Sequence, residues 1–156
     1  MVAPLAKGTL APAFSLLDQH ENQVSLSQFK GQKVLVYFYP KALTPGCTTQ
    51  ACDLRDSQAE LAKCGLTVLG ISPDSPEKLA RFEEKKQLNF TLLSDPDHKV
   101  ADAYGVWGEK KFMGKTFDGI HRISFLIDEN GTIAHVFDKF KTKDHARIVL
   151  DFLQSC

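Results

Sequence analysis

Apolar residues along the chain are grouped in runs of two kinds, and their alternation predicts strands followed by helices. Residues 34–39, 66–72 and 122–127 are largely apolar and rich in β-branched and aromatic side chains, which is typical of buried strands. From Thr48 the spacing becomes helical, with apolar side chains on one face, and predicts a helix to about Lys63. The first predicted unit is therefore strand, helix, strand.

Weaker signals predict the remaining elements. Ser75 and Pro76 form a typical helix start, with serine as the N-cap and proline in the first turn. Asn130 and Gly131 favour the positive φ angles of a tight hairpin turn. The other predicted elements are a strand pair over 13–18 and 24–26, a helix from 76 to about 87, a short strand over 90–93, a short helix over 95–103, a returning strand over 132–137 and a final helix over about 143–154.

This order of elements favours an α/β protein. Strands that alternate with helices and then end in a hairpin and a terminal helix predict a three-layer α/β/α sandwich with a mixed sheet and an N-terminal β-hairpin extension. A thioredoxin-like fold has this order. No repeat, low-complexity tract or linker interrupts the 156 residues, so we expect residues 1–156 to form a single domain with one core.

Composition and charge narrow the function classes. The 19 Lys and Arg residues are balanced by 19 Asp and Glu residues, which gives no net attraction to nucleic acid or to an anionic membrane. Residues 1–10 lack the apolar core of a signal peptide, and no later segment approaches the roughly 20 apolar residues of a membrane span. We therefore expect a cytoplasmic protein, whose four cysteines stay reduced unless they are catalytic or bind a metal.

Cys47 is the cysteine with the most informative position, because it lies where a buried strand passes into a helix. Backbone N–H groups of a first helical turn and the positive end of the helix dipole stabilise a thiolate relative to a thiol. Pro45 restricts φ before the thiol, and Gly46 lets the backbone come close to whatever approaches the sulfur. The pattern predicts a reactive thiolate at Cys47.

Cys52 follows five residues later on the same predicted helix. An unbroken helix places two such Cα atoms about 8.7 Å apart, which exceeds the roughly 7 Å limit for a disulfide. A bridge between Cys47 and Cys52 therefore requires the start of the helix to unwind. This arrangement is typical of a redox catalyst and does not suit a structural crosslink.

The chemistry that fits such a thiolate is attack on a small oxidant. A hydroperoxide needs an anionic sulfur and donors that stabilise the departing oxygen. We expect these donors to be the Cys47 backbone N–H, the Thr44 hydroxyl and the Arg122 guanidinium, because an arginine that enters a core strand is rarely buried without an anionic partner. The product, a sulfenic acid, condenses with a second thiol, and we assign that step to Cys52.

Several alternatives stay open at this point. The resolving thiol could be Cys64 or Cys156 instead of Cys52, Thr44 could only cap the helix, and Arg122 could belong to a structural ion pair. Two thiols in Cys-x-x-Cys would favour a thioredoxin-type oxidoreductase, but four residues intervene here. A metal site would need a second close pair of ligands that the sequence lacks. A Cys-His hydrolase with His121 as the base is the last alternative.

The pattern Pro40-x-x-x-Thr44-x-x-Cys47 resembles the peroxiredoxin signature, and the resemblance extends through residues 37–40, 105–108 and 119–125. The chain is most similar to the bacterioferritin comigratory protein, or Q-type, subfamily. The resemblance implies that Cys47 is the peroxidatic and Cys52 the resolving cysteine, joined in an intramolecular disulfide, and that Pro40, Thr44 and Arg122 complete the site.

The same resemblance implies an activity and its partners. Hydrogen peroxide and organic hydroperoxides would be reduced to water and alcohols in antioxidant defence, and thioredoxin or a similar dithiol would recycle the enzyme. No metal, haem or flavin would be needed. Many members of this subfamily are monomeric, so a monomer is expected.

Overall fold

The computed structural model describes residues 4–138 and 140–154. Within these residues the strands are β1 (Ser15–Asp18), β2 (Gln23–Ser25), β3 (Lys33–Phe38), β4 (Leu66–Ser72), β5 (Thr91–Ser94), β6 (Trp107–Phe112), β7 (Lys115–Ile120), β8 (Ser124–Ile127) and β9 (Ile133–Phe137). The helices are α1 (Pro45–Asp56), α2 (Gln58–Lys63), α3 (Pro76–Lys86), α4 (Lys99–Ala103) and α5 (His145–Gln154), with short 3₁₀ turns at Leu26–Phe29 and Thr142–Asp144.

Seven of these strands form one mixed sheet. Its order is β2-β1-β5-β4-β3-β8-β9, in which β3, β4 and β5 are parallel to one another and the remaining neighbours are antiparallel. The β1–β2 hairpin adds to the edge of the sheet through β5. The predicted mixed sheet and N-terminal hairpin extension are therefore confirmed.

Strand β3 lies near the centre of the sheet and contributes to the core on both faces. Alternate side chains point to opposite sides of a strand. Leu35 and Tyr37 pack in one apolar cluster, whereas Val34, Val36 and Phe38 pack in the other, and each is at most 1% exposed. This double burial is what the continuous apolar run predicts.

Helices cover both faces of the sheet, which confirms the three-layer arrangement. Buried side chains of α1, α2, α3 and α5 share the cluster that contains Tyr37. On the opposite face α4 packs with the N-terminal segment around Phe14. In the described part of the chain, no helix is both long and apolar enough to span a bilayer.

The helix predicted as one element from Thr48 to Lys63 is in fact two. Helix α1 ends at Asp56, and Ser57 leaves the helical region with φ −101° and ψ 6° before α2 begins. The Ser57 N–H still donates a hydrogen bond to the Asp53 carbonyl at 3.3 Å, so the interruption of the helix is local. No glycine or proline marks the break in the sequence, which explains why the prediction of a single helix was wrong here.

A second hairpin, β6–β7, was not predicted. It forms a separate two-stranded sheet whose turn has positive φ at Met113 (51°) and Gly114 (77°). Its side chains are mostly exposed, so no alternation of buried and exposed positions marked it in the sequence. The hairpin ends at Ile120, two residues before Arg122.

The contact between Gly70 on β4 and Tyr37 on β3 gives a test of core packing. A Cβ added to Gly70 would lie 2.8 Å from the ring of Tyr37, which is 1% exposed and packs against Tyr39 and Phe90. Because this ring has no room to move, we expect Gly70→Ala to lower the free energy of unfolding by about 1–3 kcal/mol, measured by urea denaturation.

The matched control is Gly119→Ala on the β6–β7 hairpin. Its added Cβ would lie 3.2 Å from a flexible methylene of Lys110 and 3.4 Å from the ring of Phe117, which is exposed, so both neighbours can shift. A cost for Gly70→Ala no larger than for this control would contradict the tight packing between β3 and β4.

Candidate active site

Cys47 is the third residue of α1 and is 1% exposed. Thr44 is the N-cap of this helix by backbone position, with φ −79° and ψ 156°, and Pro45 opens the first turn. The structure therefore places the thiol where the sequence predicted it, next to backbone N–H groups that have no partner within the helix.

The loop between β3 and α1 is held from the neighbouring strand. Half-buried Pro40 lies in this loop, and Leu43 adopts φ 64°, a left-handed conformation that is costly for residues other than glycine. The buried Asp74 carboxylate accepts hydrogen bonds from the Ala42 N–H at 2.7 Å and from the Ser72 hydroxyl at 2.8 Å. Asp74, which the sequence analysis missed, thus fixes the approach to the active-site helix.

The Thr44 side chain is half-buried beside the helix start. Its hydroxyl donates to the Lys41 carbonyl at 2.8 Å and makes no capping bond to the helix. The alternative that Thr44 only caps α1 through its side chain is therefore not observed. To donate a hydrogen bond to a substrate, the hydroxyl has to rotate away from Lys41.

Arg122 lies directly against the first turn of α1. A Cβ added to Gly46 would be 2.8 Å from Arg122 Nη2, so the guanidinium occupies the space that a side chain would need. The side chain nearest to the place where a Cβ would stand is thus that of the arginine. Arg122 precedes strand β8 by two residues, which corrects the prediction that it begins this strand.

No carboxylate among the described residues lies within ion-pair distance of Arg122. Its Nη1 donates instead to the neutral side-chain oxygen of Gln50 at 3.0 Å. The expected anionic partner is therefore not an acidic side chain. The neighbouring group that can carry negative charge is the thiol of Cys47, which follows Gly46 in the chain.

Gln50 is fully buried and belongs to a chain of polar side chains that the sequence analysis missed. Its amide nitrogen lies 3.2 Å from His145 Nδ1, and His145 Nε2 lies 2.7 Å from the Ser124 hydroxyl oxygen. We refer to Arg122, Gln50, His145 and Ser124 as the buried polar chain. Burial lowers the pKa of His145 to about 3, so the imidazole is neutral at neutral pH.

A signal for Gln50 was present in the sequence. It follows Cys47 by three positions and therefore lies on the same, inward face of the predicted helix. A polar side chain on an apolar face needs a buried partner, but nothing local in the sequence indicates that the partners are Arg122 and His145.

The β6–β7 hairpin brings a second cation towards the site. Lys110 Nζ donates to the Ile120 carbonyl at 2.7 Å, and burial together with the positive charge of Arg122 lowers the pKa of Lys110. His121 Nε2 is 3.0 Å from the Glu109 carbonyl, and burial lowers the pKa of this histidine. Within the described residues no histidine hydrogen-bonds the Cys47 sulfur, as a Cys-His hydrolase would require.

Cys52 is half-buried on α1, and the helix is continuous between it and Cys47. Both are free thiols, as is half-buried Cys64 beyond α2, whereas Cys156 lies outside the described residues. The helical separation of about 8.7 Å between residues 47 and 52 still applies. Across the described part of the chain, no three His, Cys, Asp or Glu side chains are grouped as metal ligands would be.

Contacts with α5 oppose unwinding of α1. The Asp53 carboxylate accepts the Ala146 N–H at 2.7 Å, and Gln50 contacts His145 one residue earlier. Burial raises the pKa of Asp53, although the bond from Ala146 works in the opposite direction. The helix that carries both cysteines is therefore anchored at two points to the start of α5.

Comparisons with known proteins agree on one family. Residues 8–136 match the model of the AhpC/TSA family. Peroxiredoxin Bcp of Escherichia coli strain K12 is 66% identical over 151 residues, which covers 97% of each chain. A relative from Haemophilus influenzae, also named as a bcp peroxiredoxin, is 72% identical over 152 residues and covers 97% of this chain and 98% of the relative.

A solved structure supports the same assignment. The bacterioferritin comigratory protein of Xanthomonas campestris, whose structures are described for alkyl peroxide reduction activity, superposes with a TM-score of 0.86. It is 32% identical to this chain, and the match covers 99% of this chain and 98% of the other. The thioredoxin-like fold predicted from the order of elements is confirmed by this likeness.

The close approach of Arg122 to Gly46 gives a test of the site. The added methyl of Gly46→Ala overlaps the flexible end of Arg122, which can move aside at little cost in stability. We therefore expect the free energy of unfolding to stay within about 1 kcal/mol of the parent protein, while oxidation of Cys47 by hydrogen peroxide slows on the order of tenfold.

Thr49→Ala is the control for this variant. Thr49 is exposed on the same helix, and its hydroxyl donates to the Pro45 carbonyl at 3.0 Å, away from Arg122. Stopped-flow oxidation rates should be unchanged in Thr49→Ala. An equally unchanged rate in Gly46→Ala would show that the observed position of Arg122 is not needed for the reaction.

Proposed function

The chain belongs to the AhpC/TSA family, as a thiol peroxidase of the Bcp, or Q-type, peroxiredoxins, and we propose that Cys47 is its peroxidatic residue. The observation that carries the proposal is the position of Cys47 at the start of α1, beside an arginine that no described carboxylate neutralises. A thiolate at this position completes the local charge balance.

In the proposed reaction the Cys47 thiolate attacks the terminal oxygen of a hydroperoxide. An S–O bond forms as the O–O bond breaks, and the second oxygen leaves as hydroxide or alkoxide, which takes a proton from solvent water to give water or an alcohol. Cysteine sulfur is oxidised to a sulfenic acid and the peroxide is reduced. The negative charge that moves from sulfur to the departing oxygen stays within reach of the same donors.

We assign those donors to three groups. The Arg122 guanidinium is held across Gly46, the Cys47 backbone N–H lies in the first helical turn, and the Thr44 hydroxyl becomes available when it turns from Lys41. Pro40 is included because it matches the family pattern and lies in the loop that leads to the helix. The donors act on charge that develops as the O–O bond breaks, so they lower the barrier.

Cys52 is proposed as the resolving cysteine. Its thiol attacks the sulfenic sulfur of Cys47, water leaves, and an intramolecular disulfide forms. Because α1 separates the two residues by about 8.7 Å, part of the helix must unwind before this step. Proximity along the chain supports Cys52, which lies on α1 with Cys47, over Cys64, which follows the end of α2.

Hydroperoxides are the substrates of the family, and a thiol supplies the reducing electrons. We propose that both hydrogen peroxide and organic hydroperoxides are used, since the Xanthomonas campestris relative is described for alkyl peroxide reduction. A dithiol protein of the thioredoxin type is the proposed reductant, because one such molecule returns an intramolecular disulfide to two thiols. We further propose that the protein is a cytoplasmic, single-domain monomer and that it acts in antioxidant defence.

The role of Cys47 is tested by Cys47→Ser. We expect peroxide consumption in the presence of thioredoxin, thioredoxin reductase and NADPH to fall to background, because serine cannot accept the peroxide oxygen. Circular dichroism should show an unchanged fold, since the two side chains are nearly isosteric. Full activity in this variant would assign the reaction to another thiol.

The role of Cys52 is tested by Cys52→Ser with Cys64→Ser as the matched control. We expect one turnover in Cys52→Ser, followed by accumulation of a sulfenic acid that dimedone traps and mass spectrometry locates at Cys47. Cys64→Ser should turn over normally and form the disulfide. An intramolecular disulfide in peroxide-treated Cys52→Ser would transfer the resolving role to Cys64 or Cys156.

A further inference from the structure

We propose that His145 is a positioning residue for peroxide reduction, which acts through Gln50 to hold Arg122 beside Gly46, the residue that precedes Cys47. The inference rests on the proposed roles of Cys47 and Arg122. Its physical basis is the buried polar chain, in which each hydrogen bond fixes the direction of the next.

The direction of these bonds follows from the chemistry of their groups. A guanidinium can only donate, so the Gln50 oxygen must face Arg122 and its NH₂ group must face His145. His145 Nδ1 therefore accepts, and the ring proton lies on Nε2, which donates to Ser124. Any other tautomer would place two donors against each other between Gln50 and His145.

The surroundings hold this imidazole in one orientation. The ring is fully buried and stacks on Phe140, with a centroid distance of 4.3 Å and an interplanar angle of 11°. The Tyr37 ring packs against it edge-on, with a centroid distance of 5.6 Å. Because the ring is packed in this orientation and neutral at neutral pH, Nδ1 is available as an acceptor for Gln50.

His145 thereby determines which end of the Gln50 amide faces the arginine. If the acceptor at Nδ1 is removed, the amide loses the group that orients it, and a turned amide presents NH₂ to the guanidinium. Two donors then face each other, and Arg122 leaves its position beside Gly46. Peroxide reduction then loses the donor that stabilises the developing negative charge, but it keeps the Cys47 nucleophile.

A purely structural role for His145 makes a different prediction. His145 begins α5, next to the Ala146 N–H that bonds the Asp53 carboxylate, so its removal could loosen the contact between α1 and α5 generally. Damage of that kind would slow the reaction whether or not Arg122 is present. Action through Arg122 would have no effect once Arg122 is gone, which a double-mutant cycle detects.

The experiment measures the single-turnover rate at which hydrogen peroxide oxidises Cys47. The proteins are the parent, His145→Phe, Arg122→Met and the double variant. Phenylalanine keeps the aromatic stack but has no acceptor. We expect His145→Phe to slow oxidation on the order of tenfold in the parent and by less than about twofold in the Arg122→Met background.

Two further variants separate positioning from packing. His145→Asn places an amide oxygen near the position of Nδ1, and we expect it to restore the rate to within about threefold of the parent. It also carries the test if His145→Phe does not fold. Asp53→Ala removes the other link between α1 and α5, and its effect on the rate should be the same with and without Arg122.

The outcomes distinguish this inference from the function on which it rests. Equal slowing by His145→Phe in both backgrounds, no slowing in either, or a folded His145→Asn protein as slow as His145→Phe would overturn the role of His145. If Arg122→Met itself oxidises at the parent rate, or Cys47→Ser still consumes peroxide, then the proposed site is wrong instead.

Discussion

The structure depends on one constraint: a guanidinium must be kept beside a thiol without a carboxylate to neutralise it. A carboxylate partner would hold Arg122 firmly but would cancel much of the charge on which the proposed peroxide reduction depends. The neutral amide of Gln50 holds the guanidinium instead and leaves its charge available. Glycine at position 46 then allows the cation to lie against the backbone of the first helical turn.

The fold supplies the rigidity that such an arrangement needs. Strand β3 is buried on both faces and ends directly before the active-site loop. Asp74 ties that loop to the end of β4, and the start of α5 meets α1 through Asp53 and His145. Each support comes from an element that packs on the central sheet, so the position of Cys47 is set by the core and not by the loop alone.

The parts predicted from the sequence are those set by local chemistry. The apolar run of β3 and the Pro-Gly-Cys helix start depend on neighbouring residues, and both lie where they were expected. The missed features depend on distant residues: Gln50 meets Arg122 across 72 positions and His145 across 95. The β6–β7 hairpin was not predicted because the side chains of its strands are mostly exposed. The break at Ser57 was not predicted because no glycine or proline marks it.

Helix α1 carries Cys47, Gln50 and Cys52 within a single dodecapeptide. Because the proposed Cys47–Cys52 disulfide cannot coexist with the intervening helical turn, its formation would break the contacts through which Gln50 holds Arg122. A disulfide-bonded molecule is thereby unable to engage a second oxidant until it has been reduced. Under the proposed mechanism, the secondary structure of this segment would differ between the two redox states: α1 would be helical when it meets a hydroperoxide and partly unwound when it meets the reductant.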